Sequence, residues 1–365
     1  MKEKKRKVPA IFKNQIMIPL IALVCILIVN VIVDLVFGQN FFEVTVVKNN
    51  AGDPVLQGNI ISILNYGSEL AILAIGMTLV TAASGGQDIS VGATIAIAGS
   101  TIIRVLCGGN TRPESLATPI FVAFLVGCIA AMLCGAFNGA LVAFFKIPPM
   151  VATLIMYTAG RSIAAWINDN ELPVVPGEEF TVFGGYIPGI PIPTPVFIAI
   201  ICMIIIALVL KFTSLGVYTQ AVGINEESSR LNGINPKLIK FVSFVILGVC
   251  VAVAGLIKVS RISTINYSVI AKDIEMDAIL AVALGGNALS GGKFNMAASI
   301  LGAYVIQALT TTLYRLDFVK AEALPAYKAV VVIILVVLSA PGVTGALKKL
   351  GKKIRPTKKE QQEVA

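Results

Sequence analysis

A chain of 365 residues that is 56% hydrophobic and only 13% charged carries about half the charge of a soluble domain, for which about 25% is usual. With a mean hydropathy of +0.87 it has too few polar side chains to cover a water-facing surface, which excludes a soluble enzyme or a soluble binding module. The formal charge of +9 is concentrated at the ends, with six basic residues in 1–13 and seven in 348–359; it reads as two cytoplasmic tails against anionic lipid, not as a nucleic-acid surface.

Ten apolar segments follow in order, at 16–37, 60–83, 92–107, 119–145, 149–168, 195–212, 239–259, 276–290, 296–313 and 327–346. Their lengths suit helices crossing about 30 Å of hydrocarbon, so the expected fold is an all-α polytopic bundle of about ten transmembrane helices. The first segment is too long for a signal-peptide core, and no small-x-small cleavage site follows it, so it is expected to be retained. An even number of spans returns both termini to one side. On that count the tail side holds 19 basic residues and the opposite side six, as the positive-inside rule requires. The expected organisation is one transmembrane domain, 1–365, with basic cytoplasmic tails at 1–13 and 347–365, an external loop at 169–194 and a cytoplasmic loop at 213–238.

Several spans carry start signals. Thr194-Pro195 and Asn235-Pro236 put a capping side chain before a proline at the first helical position, and Pro148-Pro149 opens the fifth span. The external loop, with Pro173, Pro176, Pro188, Pro191 and Pro193 among Gly177, Gly184, Gly185 and Gly189, reads as a run of turns. The six cysteines sit in or at the ends of apolar runs without a C-x-x-C pair, so neither a disulfide framework nor a metal site is expected. Histidine is absent, which removes the commonest metal ligand and general base.

Two glycine-rich interruptions, Gly85-Gly86-Gln87-Asp88-Ile89-Ser90-Val91-Gly92 and Gly285-Gly286-Asn287-Ala288-Leu289-Ser290-Gly291-Gly292, share the pattern G-G-x-x-x-S-x-G. Internal duplication and coincidence both account for the match. At membrane depth such glycines let backbones pack closely or break a helix beside a water-filled path. Neither is a phosphate loop, because G-x-x-x-x-G-K-[ST] occurs nowhere. If ATP drives this protein, another chain binds it.

Within the 213–238 loop, residues Gly223 to Gly233 describe a complete short helix. Asn225 caps its start, Glu226 and Glu227 favour the positive end of the dipole, Arg230 the negative end, and Asn232-Gly233 supplies a left-handed stop. Physics alone leaves an ordinary loop helix and a docking helix both open. The string Glu227-Ser228-Ser229-x-x-x-Gly233 resembles the E-A-A-x-x-x-G loop of ABC-importer permeases. The resemblance covers nearly the whole chain: Leu73 to Val80 with the first glycine turn, Phe137 to Leu141, Lys146 to Pro149, Ala221 to Gly223 and Glu275 to Ile279 look like the ribose-type (branched-chain amino acid/ribose) sugar permeases. Met150 to Leu154, Ala159-Gly160-Arg161, Gly292 to Asn295 and Lys328 to Val332 resemble galactofuranose permeases within that family. Gln87 departs from the family's usual apolar residue before Asp88.

The resemblance implies a permease subunit that imports a monosaccharide, galactofuranose first, with ribose, another pentose or a signalling sugar as the alternative, by alternating access across a bacterial inner membrane. It implies a cytoplasmic ABC ATPase that binds ATP and Mg, a second permease chain (identical or homologous) and an extracytoplasmic sugar-binding protein. This chain itself would bind no cofactor and catalyse nothing.

Polar residues inside apolar spans are costly and mark candidate sites. Asn65 and Asn138 can bond sugar hydroxyls or pack between helices. Arg161 can snorkel outward or line the path. Tyr157 and Gln307 suit sugar faces and hydroxyls, whereas Asp88 and Asp277 sit at span ends and read as caps. An ion-coupled transporter acting alone is the rival; apart from Arg161, Arg104 and Asp34, the spans offer few groups for a coupling ion.

Overall fold

Twelve α-helices, one β-hairpin and a short 3-10 turn at Thr181–Phe183 account for the regular structure of a computed structural model that describes residues 16–38, 40–49, 52–316 and 323–339. Both basic tails lie outside those residues. Through Thr311 the chain forms one unit with α1 Met17–Phe37, β1 Thr45–Lys48, β2 Pro54–Gln57, α2 Asn59–Ser84, α3 Val91–Cys107, α4 Ile120–Ala143, α5 Pro149–Ile167, α6 Thr194–Phe212, α7 Leu215–Ile224, α8 Glu226–Leu231, α9 Pro236–Ile262, α10 Ile274–Leu284 and most of α11 Met296–Tyr314. Thr312 onward is a second unit, described by the last residues of α11 and by α12 Leu324–Ser339.

The first unit is layered around α2, α3 and α9. From Gly67 to Ala83 every residue of α2 is buried, and α9 packs against α4, α2 and α3. With lipid as apolar as leucine, helices associate through close backbone approach, and the α4–α9 contact shows it. A Cβ on Gly248 would sit 2.6 Å from the Ala131 carbonyl oxygen, and one on Gly139 would sit 3.1 Å from the Phe241 carbonyl oxygen. The outer faces of α1, α4 and α6 expose leucine, isoleucine, valine and phenylalanine, the surface a membrane-spanning bundle offers to lipid.

Among the described residues seven helices are long and apolar enough to cross a membrane: α1, α2, α4, α5, α6, α9 and α11. The other three expected spans are shorter. α3 has 17 residues and α12 has 16. The eighth expected span, 276–290, is corrected: α10 has only 11 residues, about 16 Å at 1.5 Å per residue, and its last expected third belongs to the second glycine turn. Before α10, residues 263–273 enter the bundle without regular structure, and the carbonyls of Tyr267 and Ile270 each accept a hydrogen bond from Arg161 Nη1 at 2.9 Å. Irregular backbone at such depth survives only where protein satisfies it, and Arg161 does that here.

Loops assigned to the same face by alternation meet one another. At one end a Cβ on Gly86 would stand 2.8 Å from the Pro149 ring, and one on Gly85 would stand 2.8 Å from the Ser290 carbonyl oxygen. At the other end Leu56 N–H donates to the Pro191 carbonyl (3.0 Å), Thr111 Oγ1 donates to Glu171 Oε2 (2.6 Å) and Val174 bridges Thr264. The hairpin is a finding the sequence pattern did not announce. Thr45 pairs with Gln57 and Lys48 with Pro54, and the turn closes through the Asp53 N–H donating to Asn49 Oδ1 at 2.8 Å.

Candidate coupling site

The short helix inferred between Gly223 and Gly233 is present as α8, with α7 leading into it. Asn225 adopts an extended backbone and its Oδ1 accepts from Ser228 N–H at 2.8 Å. Glu226 and Glu227 occupy the first turn and Arg230 the last. Glu227 pairs with Arg230 at 2.9 Å on the exposed face, whereas Glu226 reaches Lys240 on α9 at 2.6 Å. Gly233, at φ 80°, makes the left-handed turn into Asn235, whose side chain caps α9 at Lys237 and Leu238. Leu231, 83% exposed, projects from α8 with little of the described residues over it.

Gly223 is the inward end of this element. It packs on the Ala82 carbonyl and on the backbone of Gly292, so residues of α7, of α2 and of the second glycine turn share one point. There the two glycine turns join: Gly292 N–H donates to the Ala82 carbonyl at 3.0 Å, and Gln87 Nε2 donates to the Leu289 carbonyl at 3.0 Å. The residue that departs from the family pattern therefore ties one turn to the other.

Each turn has its own polar staple. In the first, Asp88 Oδ1 accepts from Ser90 N–H (2.7 Å) and Ser90 Oγ (2.6 Å), and Asn138 Nδ2 donates to Ser90 Oγ (2.9 Å) and Asp88 Oδ2 (3.3 Å). Asp88 thus holds the turn ahead of α3, and Asn138 is committed to the same network, 1% exposed. A cavity of about 10 Å³ beside Asp88 and Asn138 is the size of one water. In the second turn Asn287 donates to Ser299 Oγ (2.7 Å) and accepts from Asn295 N–H (2.6 Å). Gly285 packs on Ala298 and Ser299, and Gly286 takes φ 73°.

Deeper in the bundle, Gly92 begins α3 where Glu275 begins α10. A Cβ on Gly92 would meet Glu275 Oε2 and stand 3.5 Å from Arg161 Nη2. Arg161 neither snorkels nor opens freely to a path: it fixes the chain before α10 and faces a carboxylate buried between two helix N-termini, whose dipoles favour negative charge.

The remaining polar candidates separate. Tyr157, 39% exposed, lies on the outer face of α5. Gln307 on α11 packs beside Gly67 of α2, and its Nε2 donates to Thr311 Oγ1 at 3.4 Å. Asn65 Oδ1 accepts from Arg261 Nη2 at 3.1 Å. Arg261 also pairs with Glu69, which is 1% exposed and holds Lys258 at 3.0 Å. Glu69 and Lys258 escaped the sequence reading; Glu275 entered it only within the motif Glu275 to Ile279, and Arg261 only as one of the six basic residues counted on the side opposite the tails. The available signal was a lone carboxylate in the middle of an apolar run. Because Glu69 is matched by two cations, it adds no spare charge for a coupling ion.

Comparison with known proteins agrees with this architecture. The family described as branched-chain amino acid transport system / permease component matches residues 59–340. The fructose import permease protein of Bifidobacterium longum is 37% identical over 316 residues, 85% of this chain and 85% of its own length. The galactofuranose transporter permease protein of Escherichia coli is 36% identical over 318 residues, 87% and 88% of the two chains. The ribose import permease protein of Haemophilus influenzae is 34% identical over 289 residues, 76% and 84%. With its helical multi-pass fold, the chain belongs to the branched-chain amino acid transport system / permease component family and is the transport subunit, not an enzyme, of an ABC sugar importer.

Proposed function

We propose that this chain carries a monosaccharide able to close a five-membered ring, and that ATP-driven closure of a cytoplasmic ATPase reaches the bundle through α8 and Gly223. The observation that carries the reading is the packing of Gly223 on Ala82 and Gly292. A push on α8 has no slack to take up before it displaces both glycine turns, and with them the starts of α3 and α11. Packed backbones respond to such pushes by switching between arrangements, not by deforming continuously.

The sugar class rests on three similar relatives, named for fructose, galactofuranose and ribose. All three sugars form furanose rings, so the expectation of galactofuranose widens to that class. On this reading α5 supplies part of the path. It exposes Tyr157, Thr158 and Ser162, hydroxyl-bearing groups that suit a polyol and make a poor lipid face. A second permease chain completes the path across it, a sugar-binding protein delivers the solute at the 169–194 face, and α8 with both tails faces the cytoplasm.

Two measurements test the proposal together. Purification of the tagged chain in mild detergent, followed by mass spectrometry, should recover an ATP-binding protein and identify the second permease. Uptake of labelled D-fructose, D-ribose and D-galactose should saturate for at least one and collapse without ATP. Recovery of the chain alone, with uptake driven by an ion gradient, would sink it.

A further inference from the structure

At the end of the bundle that carries the 169–194 loop, the hairpin, the start of α2 and Tyr186 enclose an open basin of about 560 Å³. We infer that this basin is a monosaccharide-binding vestibule, a site where the sugar is held on this chain before it enters the translocation path. The inference rests on the monosaccharide reading above.

Its walls carry Glu43, Gln57, Asn59, Asn65, Tyr66 and Tyr186. Amides and a carboxylate offer the paired donors and acceptors that sugar hydroxyls need, and the volume falls within the ~300–1,000 Å³ of small-molecule sites. One carboxylate on the rim disfavours an anion, and a neutral polyol meets no such penalty.

The floor is built, not incidental. Arg261 comes up from α9 to donate to Asn65 Oδ1 at 3.1 Å, and its guanidinium lies 4.3 Å from the centre of the Tyr66 ring. One helical turn deeper, buried Glu69 anchors that same guanidinium. With its carbonyl oxygen accepting from Arg261, Asn65 is left with its Nδ2 donors for a ligand. The wall is held too: Tyr186 Oη donates to the Leu56 carbonyl at 2.8 Å, and Asn59 Nδ2 donates to the Phe41 carbonyl at 3.3 Å. A rigid polar concavity of this kind spends little ordering entropy on capture.

The test uses the intact importer for uptake of labelled D-fructose, D-ribose and D-galactose. The full-length chain in lipid nanodiscs is used for saturation-transfer NMR with the same three sugars. Asn65→Leu removes the floor donor; Gln57→Leu changes an exposed strand position and leaves the helices untouched. The expected result is loss of saturation transfer in both variants and a rise of about tenfold in half-saturating sugar, the loss of one good hydrogen bond. Unchanged saturation transfer and unchanged uptake in both variants would overturn the inference. So would intact saturation transfer with loss of ATP hydrolysis stimulated by the binding protein, which would make the basin a protein-docking face. Failure of the unaltered importer to take up any of the three sugars would instead bring down the monosaccharide reading, and this inference with it.

Discussion

Gly223 and Gly292 lie so close that a Cβ at position 223 would stand 2.5 Å from the Gly292 nitrogen and 3.0 Å from its Cα, besides striking the Ala82 carbonyl oxygen. All of those atoms are backbone, so no side-chain rotation relieves the clash. The contact joins the segment leading into α8 to the end of α2 and to the second glycine turn, which are far apart in sequence, and it accounts for glycine at the end of α7 independently of any resemblance.

Gly223→Ala is expected to cut uptake by at least tenfold while the chain still inserts, since overpacking of this kind costs about 1–3 kcal/mol. Uptake and the membrane-fraction yield are measured side by side. Uptake equal to the unaltered protein would detach Gly223 from the coupling route.

Gln87→Leu removes the inter-turn hydrogen bond and leaves the Leu289 carbonyl without that partner. A loss of about 1 kcal/mol is expected, seen as a lower melting temperature in detergent and as slower uptake. A variant with unchanged melting and unchanged uptake would show that the two turns move without this link.

Glu69→Gln should leave Lys258 and Arg261 facing each other in a buried site and destabilise the chain by about 3–5 kcal/mol. Adding Lys258→Met should recover much of the loss. A double-mutant cycle read by thermal melting separates the pair from the whole, and strict additivity would mean that the ion pair is energetically idle.

Asn225→Ala removes the cap on Ser228 N–H and is expected to cost α8 about 1 kcal/mol, whereas Asn225→Ser should retain most of it. Glu227→Arg and Gly233→Trp should abolish uptake and ATPase recovery on purification without changing insertion. The Glu227–Arg230 pair is exposed and contributes little to stability, so a melting shift with normal uptake would place Glu227 in the fold and outside the docking face.

Cysteines introduced at Glu178 and Asn225 should react with an impermeant thiol reagent from opposite sides of the membrane. Labelling of both from one side would break the topology in which α8 and the 169–194 loop lie on different faces.

Much of the α8 segment's structure was legible in the sequence because a helix cap is a local device. Asn225, Glu226, Glu227, Arg230 and Gly233 act within one or two turns of themselves, so their order along the chain is enough. The polar residues of the spans behaved otherwise. Asn138 and Asn65 looked alike as lone amides in apolar runs, yet one is tied to Asp88 and Ser90 and the other to Arg261. Those partners are 48 to 196 residues away.

The membrane character, the helical class and most span positions follow from the sequence by itself, because the free energy of placing an apolar run in hydrocarbon depends on that run alone. Only the tertiary structure decided how deep α10 begins, that the glycine turns touch, and that Glu69 is neutralised by Lys258 and Arg261. Each of these is a pairing between distant segments, and the energy of a buried polar or close-packed group is set by its partner in space. The short α10 makes the point: nine of its 11 residues lie in an apolar run that reads as a span, and the Arg161 bonds to Tyr267 and Ile270 are what let the chain stop being helical inside the bundle.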